Sequence, residues 1–229
     1  ASNGSSPVDL ITRVEVKYQY QNFSGGDLHG IPIIRGDYAF SRTASIRLDL
    51  PILHFDAQTP GQSSETGIGD IVLSATFVKA FSKKFIGAFG PRIDFPTATD
   101  DRLGSGKYVL KPLVAGVTPL APGLAFVGIL EYRVSIAGKD HRADVNEIAI
   151  KPVLLKSFLT GPLKGTYANP QLEFIVDFET NNRTTTQLGV NLGKVLSKNV
   201  VLFVVPTFHI AGTKRESFKL EAGFRYLFR

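Results

Sequence analysis

Residues 218–229 read FKLEAGFRYLFR, and their alternation decides the fold. Phe218, Leu220, Ala222, Phe224, Tyr226 and Phe228 hold one phase, while Lys219, Glu221, Gly223, Arg225 and Arg229 hold the other. A period of two sets successive side chains on opposite faces of a β-strand. The pattern returns upstream. Val14, Val16, Tyr18 and Tyr20 alternate with Arg13, Glu15 and Lys17; Ile46, Leu48 and Leu50 alternate with Arg47 and Asp49; Leu172, Phe174 and Val176 alternate with Glu173 and Asp177. Apolar, aromatic-rich faces set against charged ones along the whole chain read as a closed barrel with lipid outside and water inside. A soluble antiparallel sandwich alternates too. The run of strands without a helix, the aromatic content of the apolar face and the position of Phe228 near the end of the last strand favour the membrane.

The 229 residues contain no charged or proline-rich linker, so one domain is expected, with residues 1–9 as a periplasmic tail and residues 10–229 as the barrel. The lack of cysteine excludes disulfides, thiolate metal sites and cysteine nucleophiles, and suits an oxidising compartment. The longest clear apolar run, residues 200–205, stops at Pro206, well short of the ~18 residues of a spanning helix. Residues 1–6 read as a mature terminus left by signal removal, so export is expected.

Strands are expected near residues 10–23, 31–40, 44–55, 67–81, 85–95, 106–120, 124–137, 146–158, 166–178, 185–196, 199–210 and 217–229. The fold class is therefore all-β: a closed antiparallel transmembrane β-barrel of about twelve strands in an up-and-down meander. Tight connections at residues 41–43, 82–84, 121–123, 160–165 and 197–198 alternate with longer ones at 56–66, 96–105, 138–146 and 211–216, which are rich in Gly, Ser, Asp and Thr. In outer-membrane barrels short turns face the periplasm and long loops face outside, which puts both termini in the periplasm of a Gram-negative cell. Tyr20, Tyr38, Phe40, Phe81, Phe85, Phe95 and Tyr226 gather near strand ends, where interfacial girdles sit.

The charged phase supplies the candidate pore-lining residues: Arg35, Asp37, Arg47, Asp49, Arg92, Asp94, Lys107, Lys111, Glu131, Arg133, Lys151, Glu173, Asp177, Glu221 and Arg225. Arg35 with Asp37, Arg47 with Asp49, Arg92 with Asp94 and Glu131 with Arg133 are opposite charges two residues apart, hence on one face. They either line a wet path or satisfy one another across a nearly closed interior, because charges removed from water need partners. About twelve strands lie between the filled eight-stranded barrel and the open sixteen-stranded porin, so the pore is expected to be narrow. The net charge of +6 leans toward anions, and no basic cluster interleaved with exposed aromatics marks a nucleic-acid partner.

Pro91, Pro112, Pro152, Pro170 and Pro206 fall inside expected strands on the outward phase, where each removes a ladder donor. Pro91, Pro112, Pro152 and Pro206 share a comparable height and are candidate wall bulges or gaps, with strand curvature or strands that overshoot their neighbours as the alternative. A break in the wall there would let an apolar solute leave sideways into lipid. None of His29, His54, His141 and His209 sits in a His-x-Ser-Asn-Gly neighbourhood of the outer-membrane phospholipase kind, and His141 with Asp140 and Asp144 reads as a solvated loop. Asp100 and Asp101 are adjacent hard ligands at the height of lipopolysaccharide, a thin basis for a metal site. No helix follows Gly67-Ile68-Gly69, so it reads as an eased strand start rather than a nucleotide motif. No enzyme activity, cofactor or metal is expected.

Residues 65–77, ETGIGDIVLSATF, and 94–112, DFPTATDDRLGSGKYVLKP, resemble the MetA-pathway phenol degradation family of Gram-negative outer-membrane proteins. The shared features are a Gly-x-Gly-Asp start to an alternating strand and a strand closing on Phe-Pro-Thr before an acidic, Gly-containing loop. Ala98 stands where the family often has glycine. The resemblance implies a small porin-like outer-membrane channel, with uptake of small or aromatic compounds. The reading is a monomeric passive channel for small solutes, embedded among outer-membrane lipid and lipopolysaccharide. The alternative is a non-conducting structural or recognition barrel, plugged by side chains or by the tail of residues 1–9. An outer-membrane lipid-modifying enzyme ranks third.

Overall fold

The structure is a computed structural model that describes residues 4–23, 26–58, 61 and 63–228. Arg229 and the first three residues of the expected tail lie outside the described residues. Alternation produces strands almost throughout: β1 (Arg13–Phe23), β2 (Gly26–Ala39), β3 (Ala44–Ala57), β4 (Glu65–Ile68), β5 (Ile71–Ser82), β6 (Phe85–Gly90), β7 (Arg92–Phe95), β8 (Lys107–Leu110), β9 (Leu113–Ala121), β10 (Leu124–Gly138), β11 (Asn146–Ser157), β12 (Thr166–Asp177), β13 (Arg183–Val195), β14 (Val200–Gly212) and β15 (Phe218–Leu227). Each pairs antiparallel with its neighbours, and β1 closes the sheet on β15 from Arg13 opposite Leu227 to Gln21 opposite Lys219. The pairs β4 with β5, β6 with β7 and β8 with β9 are interrupted single strands, so the wall is a closed barrel of twelve strands. The first strand begins at Arg13 rather than residue 10, and the second at Gly26 rather than 31.

The phases sort as the alternation requires. Val14, Tyr18, Leu48, Phe126, Phe174, Phe224 and Tyr226 are exposed on the outer surface, while Arg13, Glu15, Lys17, Asp37, Asp49, Glu131 and Arg225 are buried inside. Apolar area left bare on this scale needs hydrocarbon to cover it. Aromatic pairs ring both rims. Tyr38 with Phe40, Phe81 with Phe85 and Tyr226 with Phe228 lie at the short-turn end, and Phe95 with Tyr108 and Phe208 with Phe218 at the long-loop end.

The wall bulges expected at Pro91, Pro112, Pro152 and Pro206 are absent. Gly90 faces Leu113 and Ile93 faces Leu110 in one register, so Pro91 and Pro112 stand opposite each other without a shift. Ala75 N–H donates to Pro91 O (3.0 Å) and Tyr132 N–H to Pro112 O (3.1 Å), so both flanks stay paired. On one flank Pro152 faces Gly128, Pro170 faces Val190 and Pro206 faces Leu220 within regular ladders. On the other flank the pairing is interrupted without a change of register: β11 and β12 pair at Ile150–Phe174 and next at Val153–Gln171 and Lys156–Ala168, and β13 and β14 pair at Gly189–Thr207 and next at Leu192–Val204. Register shifts occur elsewhere, including Lys17/Gln19 and Gly30/Ile33 on the two sides of the cis Ile31-Pro32 peptide, and Thr186/Gln187. The wall keeps its register at these prolines, so they mark no bulge, and the pairing gaps lie beside Pro152, Pro170 and Pro206 on one flank each.

Candidate functional site: the barrel lumen

Because side chains at one height of neighbouring antiparallel strands face each other, the inward charges meet mainly across strands. Arg35 stands opposite Asp49 in the β2–β3 register and binds it through two nitrogens at 2.7 and 2.6 Å. Asp37 accepts Arg13 on one oxygen (2.9 Å) and Arg47 on the other (2.8 Å). Glu15, 2% exposed, accepts Arg225 at 2.5 Å and lies 3.5 Å from Arg35. The Arg225 guanidinium stacks on Phe203 at 4.3 Å and donates to Tyr167 Oη at 3.2 Å. Tyr167 fits because Gly193 opposite it has no side chain: a Cβ there would collide with Cζ of the ring. Glu221 accepts both Lys17 and Lys219 at 2.7 Å.

A second network occupies β10 to β12. Arg133 bridges Glu131 (2.6 Å), Glu147 (3.4 Å) and Glu173 (2.7 Å); Glu173 also accepts Lys151 at 3.0 Å. Arg215 descends from the last long loop to Glu147 (2.7 Å) and Asp177 (3.4 Å). Lys111 pairs with Asp94, whose second oxygen is 3.4 Å from Arg92 Nε and outside hydrogen-bond geometry. Lys107 reaches Asp144 at 2.9 Å. The sequence-expected lumen residues therefore come together, but of the four expected pairs two residues apart only Glu131–Arg133 is a hydrogen-bonded pair. Sequence reasoning missed Glu147, which shares the parity of Lys151, and Arg215, which no alternation marks because it lies in a loop.

The lumen is not charged throughout. At the short-turn end Tyr167, Val201, Phe203 and Leu227 form one apolar arc, and Val117, Val127 and Val153 form another. The tail threads between them. Val8 packs on the second arc, Ile11 on the first, and Arg13 donates to Gly4 O. At the long-loop end Leu103 is buried against Ile33 and Leu53. The loop between β7 and β8 is drawn inward by Asp70. Its Oδ2 accepts Ser105 N (2.7 Å) and Oγ (2.8 Å), and its Oδ1 accepts Ala98 N (3.3 Å). Thr99 N donates to Ile68 O at 3.0 Å, directly over Gly67, where any Cβ would collide with Thr99. A Cβ on Gly69 would lie 3.1 Å from Leu103 O. The Gly-x-Gly-Asp stretch is thus a cradle for the loop rather than an eased strand start.

Clasps at the rim hold the same loop. Arg102 donates to Asp100 (2.7 Å) and to Ser63 O (2.5 Å), while Asp101 pairs with Lys139 (2.6 Å) and His141 (3.1 Å). Both acids are engaged by cations, so the adjacent carboxylates do not converge on a common point as metal ligands would. The hydrogen bonds from Arg102 hold the Asp100 carboxyl at about 2, below its ordinary range. A depressed folded pKa means that the clasp is favoured above the ordinary carboxylate pKa and is lost as pH falls through about 2. Pepsin cleavage at Leu103 is therefore expected to stay slow at about pH 3.5 and to accelerate toward pH 2. Equal rates across that window, after correction for the pH profile of pepsin on a peptide control, would contradict it.

Two chambers bounded by described residues meet in the middle of the lumen. One, of 240 Å³, is bounded by residues 4–7 of the tail, Arg13, Arg47, Val127, Val153 and Asn169; the other, of 210 Å³, by Glu173, Gln187, Lys219 and Glu221. Glu15, Arg35, Gln171, Asn191 and Arg225 line both, so the Arg35–Glu15–Arg225 group forms the waist between them.

Among solved structures, the COG4313 outer membrane channel from Pseudomonas putida F1 is similar over 100% of both chains, with a TM-score of 0.71 and 16% identity. The NanC porin matches with a TM-score of 0.68 and 7% identity over 93% of this chain and 98% of its own. For the KdgM porin the values are 0.64 and 12%, over 94% and 99%. At such identities the likeness is one of fold. No curated protein is significantly similar in sequence. The family described as "Putative MetA-pathway of phenol degradation" matches residues 14–229, and with nearly the whole barrel inside that match the chain belongs to it.

Proposed function

We propose that the protein is an outer-membrane channel for passive diffusion of small solutes, with both termini and the short turns in the periplasm. One observation carries the reading: inside an apolar wall, two chambers meet at the charged Arg35–Glu15–Arg225 waist, a solvent path of the kind that sets selectivity by pairing and field. The channel and porin folds of the similar structures support it, and the family description supports small aromatic compounds as cargo. The proposed path is lined by Arg35, Asp37, Arg47, Asp49, Arg92, Asp94, Lys107, Lys111, Glu131, Arg133, Lys151, Glu173, Asp177, Glu221 and Arg225.

A second reading has its own observation. The tail fills one end of the lumen and Leu103 the other, as in a plugged structural or recognition barrel. Planar bilayers separate the two. The channel reading expects discrete current steps from the folded protein and a reversal potential displaced toward anions in a salt gradient. Silent bilayers containing demonstrably inserted barrels would favour the plug.

A further inference from the structure

We infer that the 240 Å³ chamber is a binding site for a small monovalent organic acid with an apolar body, an aromatic carboxylate of one ring. The inference rests on the channel reading and names the solute class of that same lumen.

The charge count comes first. Arg13, Arg35, Arg47 and Arg225 line the chamber. Their carboxylate partners are Glu15, Asp37 and Asp49, with Asp37 shared between Arg13 and Arg47. The group therefore carries one uncompensated positive charge, and a charge held away from bulk water needs a partner. Arg47 is the loose member. Only its Nε is bonded, its Nη groups have no protein partner among the described residues, and its side chain is 34% exposed to the lumen. A planar guanidinium with free Nη donors suits a carboxylate.

The opposite wall sets the rest of the ligand. Val127, Ile129, Val153 and Leu155 give it an apolar surface that a sugar or inorganic ion would leave unused. Beside them Asn169 and Asn191 face each other across β12 and β13. Asn169 is 3% exposed, its Oδ1 is fixed by Lys156 N at 3.1 Å, and its Nδ2 has no partner; Asn191 Oδ1 has none either. Buried amide groups left open in this way await a polar partner, either water or solute. At 240 Å³ the chamber is below the ~300 Å³ at which drug-sized pockets begin, which limits the occupant to about one ring.

Isothermal titration of the folded protein in detergent tests this with benzoate, benzamide and acetate. Benzoate is expected to bind at least about tenfold more tightly than benzamide, which lacks the charge, and than acetate, which lacks the ring. R47Q, checked for heat-modifiable migration, should lose about tenfold in benzoate affinity, and R47K should recover part of it. Equal binding of the three ligands by the unaltered protein, or an R47Q barrel that binds benzoate normally, overturns the site. Absence of benzoate binding in a protein that conducts also overturns it and leaves the channel standing. Selective benzoate binding in a protein that does not conduct supports the site and removes the channel.

Discussion

Replacing Glu15 by alanine is expected to destabilise the barrel by about 3–5 kcal/mol, because it strands a buried cation. Glu15 is 2% exposed and is the carboxylate that Arg225 binds at 2.5 Å. Without it, Arg225 keeps only the Phe203 ring and the Tyr167 hydroxyl, neither of which carries a negative charge. Arg35 loses less, since Asp49 still holds two of its nitrogens. The asymmetry predicts the rescue. Glu15→Ala combined with Arg225→Met removes both charges and should recover most of the loss, because an apolar pair of similar volume costs little where a lone charge costs much. Urea unfolding in lipid vesicles, followed by the heat-modifiable gel band, measures both variants. A single mutant within about 1 kcal/mol of the unaltered protein would mean that water already reaches Arg225.

The same pair shows what the sequence could convey. Alternation with period two is a local property, so the parity of Glu15 and Arg225, and with it which residues share a face of the wall, was legible residue by residue. Their contact joins the first and last strands, and it depends on closure and register, which no local pattern encodes. For this reason opposite charges two residues apart attracted attention while the actual partners lay across strands, as Arg35 with Asp49 and Asp37 with Arg47. The prolines misled for a related reason. A missing N–H is visible in sequence, but whether neighbouring strands shift to accommodate it depends on the whole ladder, and here they do not. The loops were the least legible. Leu103 sits in a polar, Gly-containing segment that reads as solvent-exposed, and only the fit of Thr99 over Gly67, with Asp70 gripping Ser105, turns it into the lumen.

That inward loop and the tail obstruct the lumen in series, and their arrangement leads to the largest expected change in function. Ion flow through one path meets the resistance of the Leu103 cluster at one end and that of tail residues 4–9, packed through Val8 on Val117, Val127 and Val153, at the other. Apolar constrictions resist ions by excluding water. If the two resistances are comparable and dominate, removing either one leaves the other in place, and conductance rises by no more than about twofold. Removing both leaves only the charged waist. Leu103→Ser alone and excision of residues 4–9 alone are therefore expected to raise single-channel conductance modestly, and the double variant by more than the product of the two. Neither change touches the Glu15–Arg225 group or a wall strand, so folding should be retained. Single-channel recording of all four proteins in one salt decides the matter. Conductances that multiply, or a double variant no more open than either single, would show that the waist and not the two ends limits the flow.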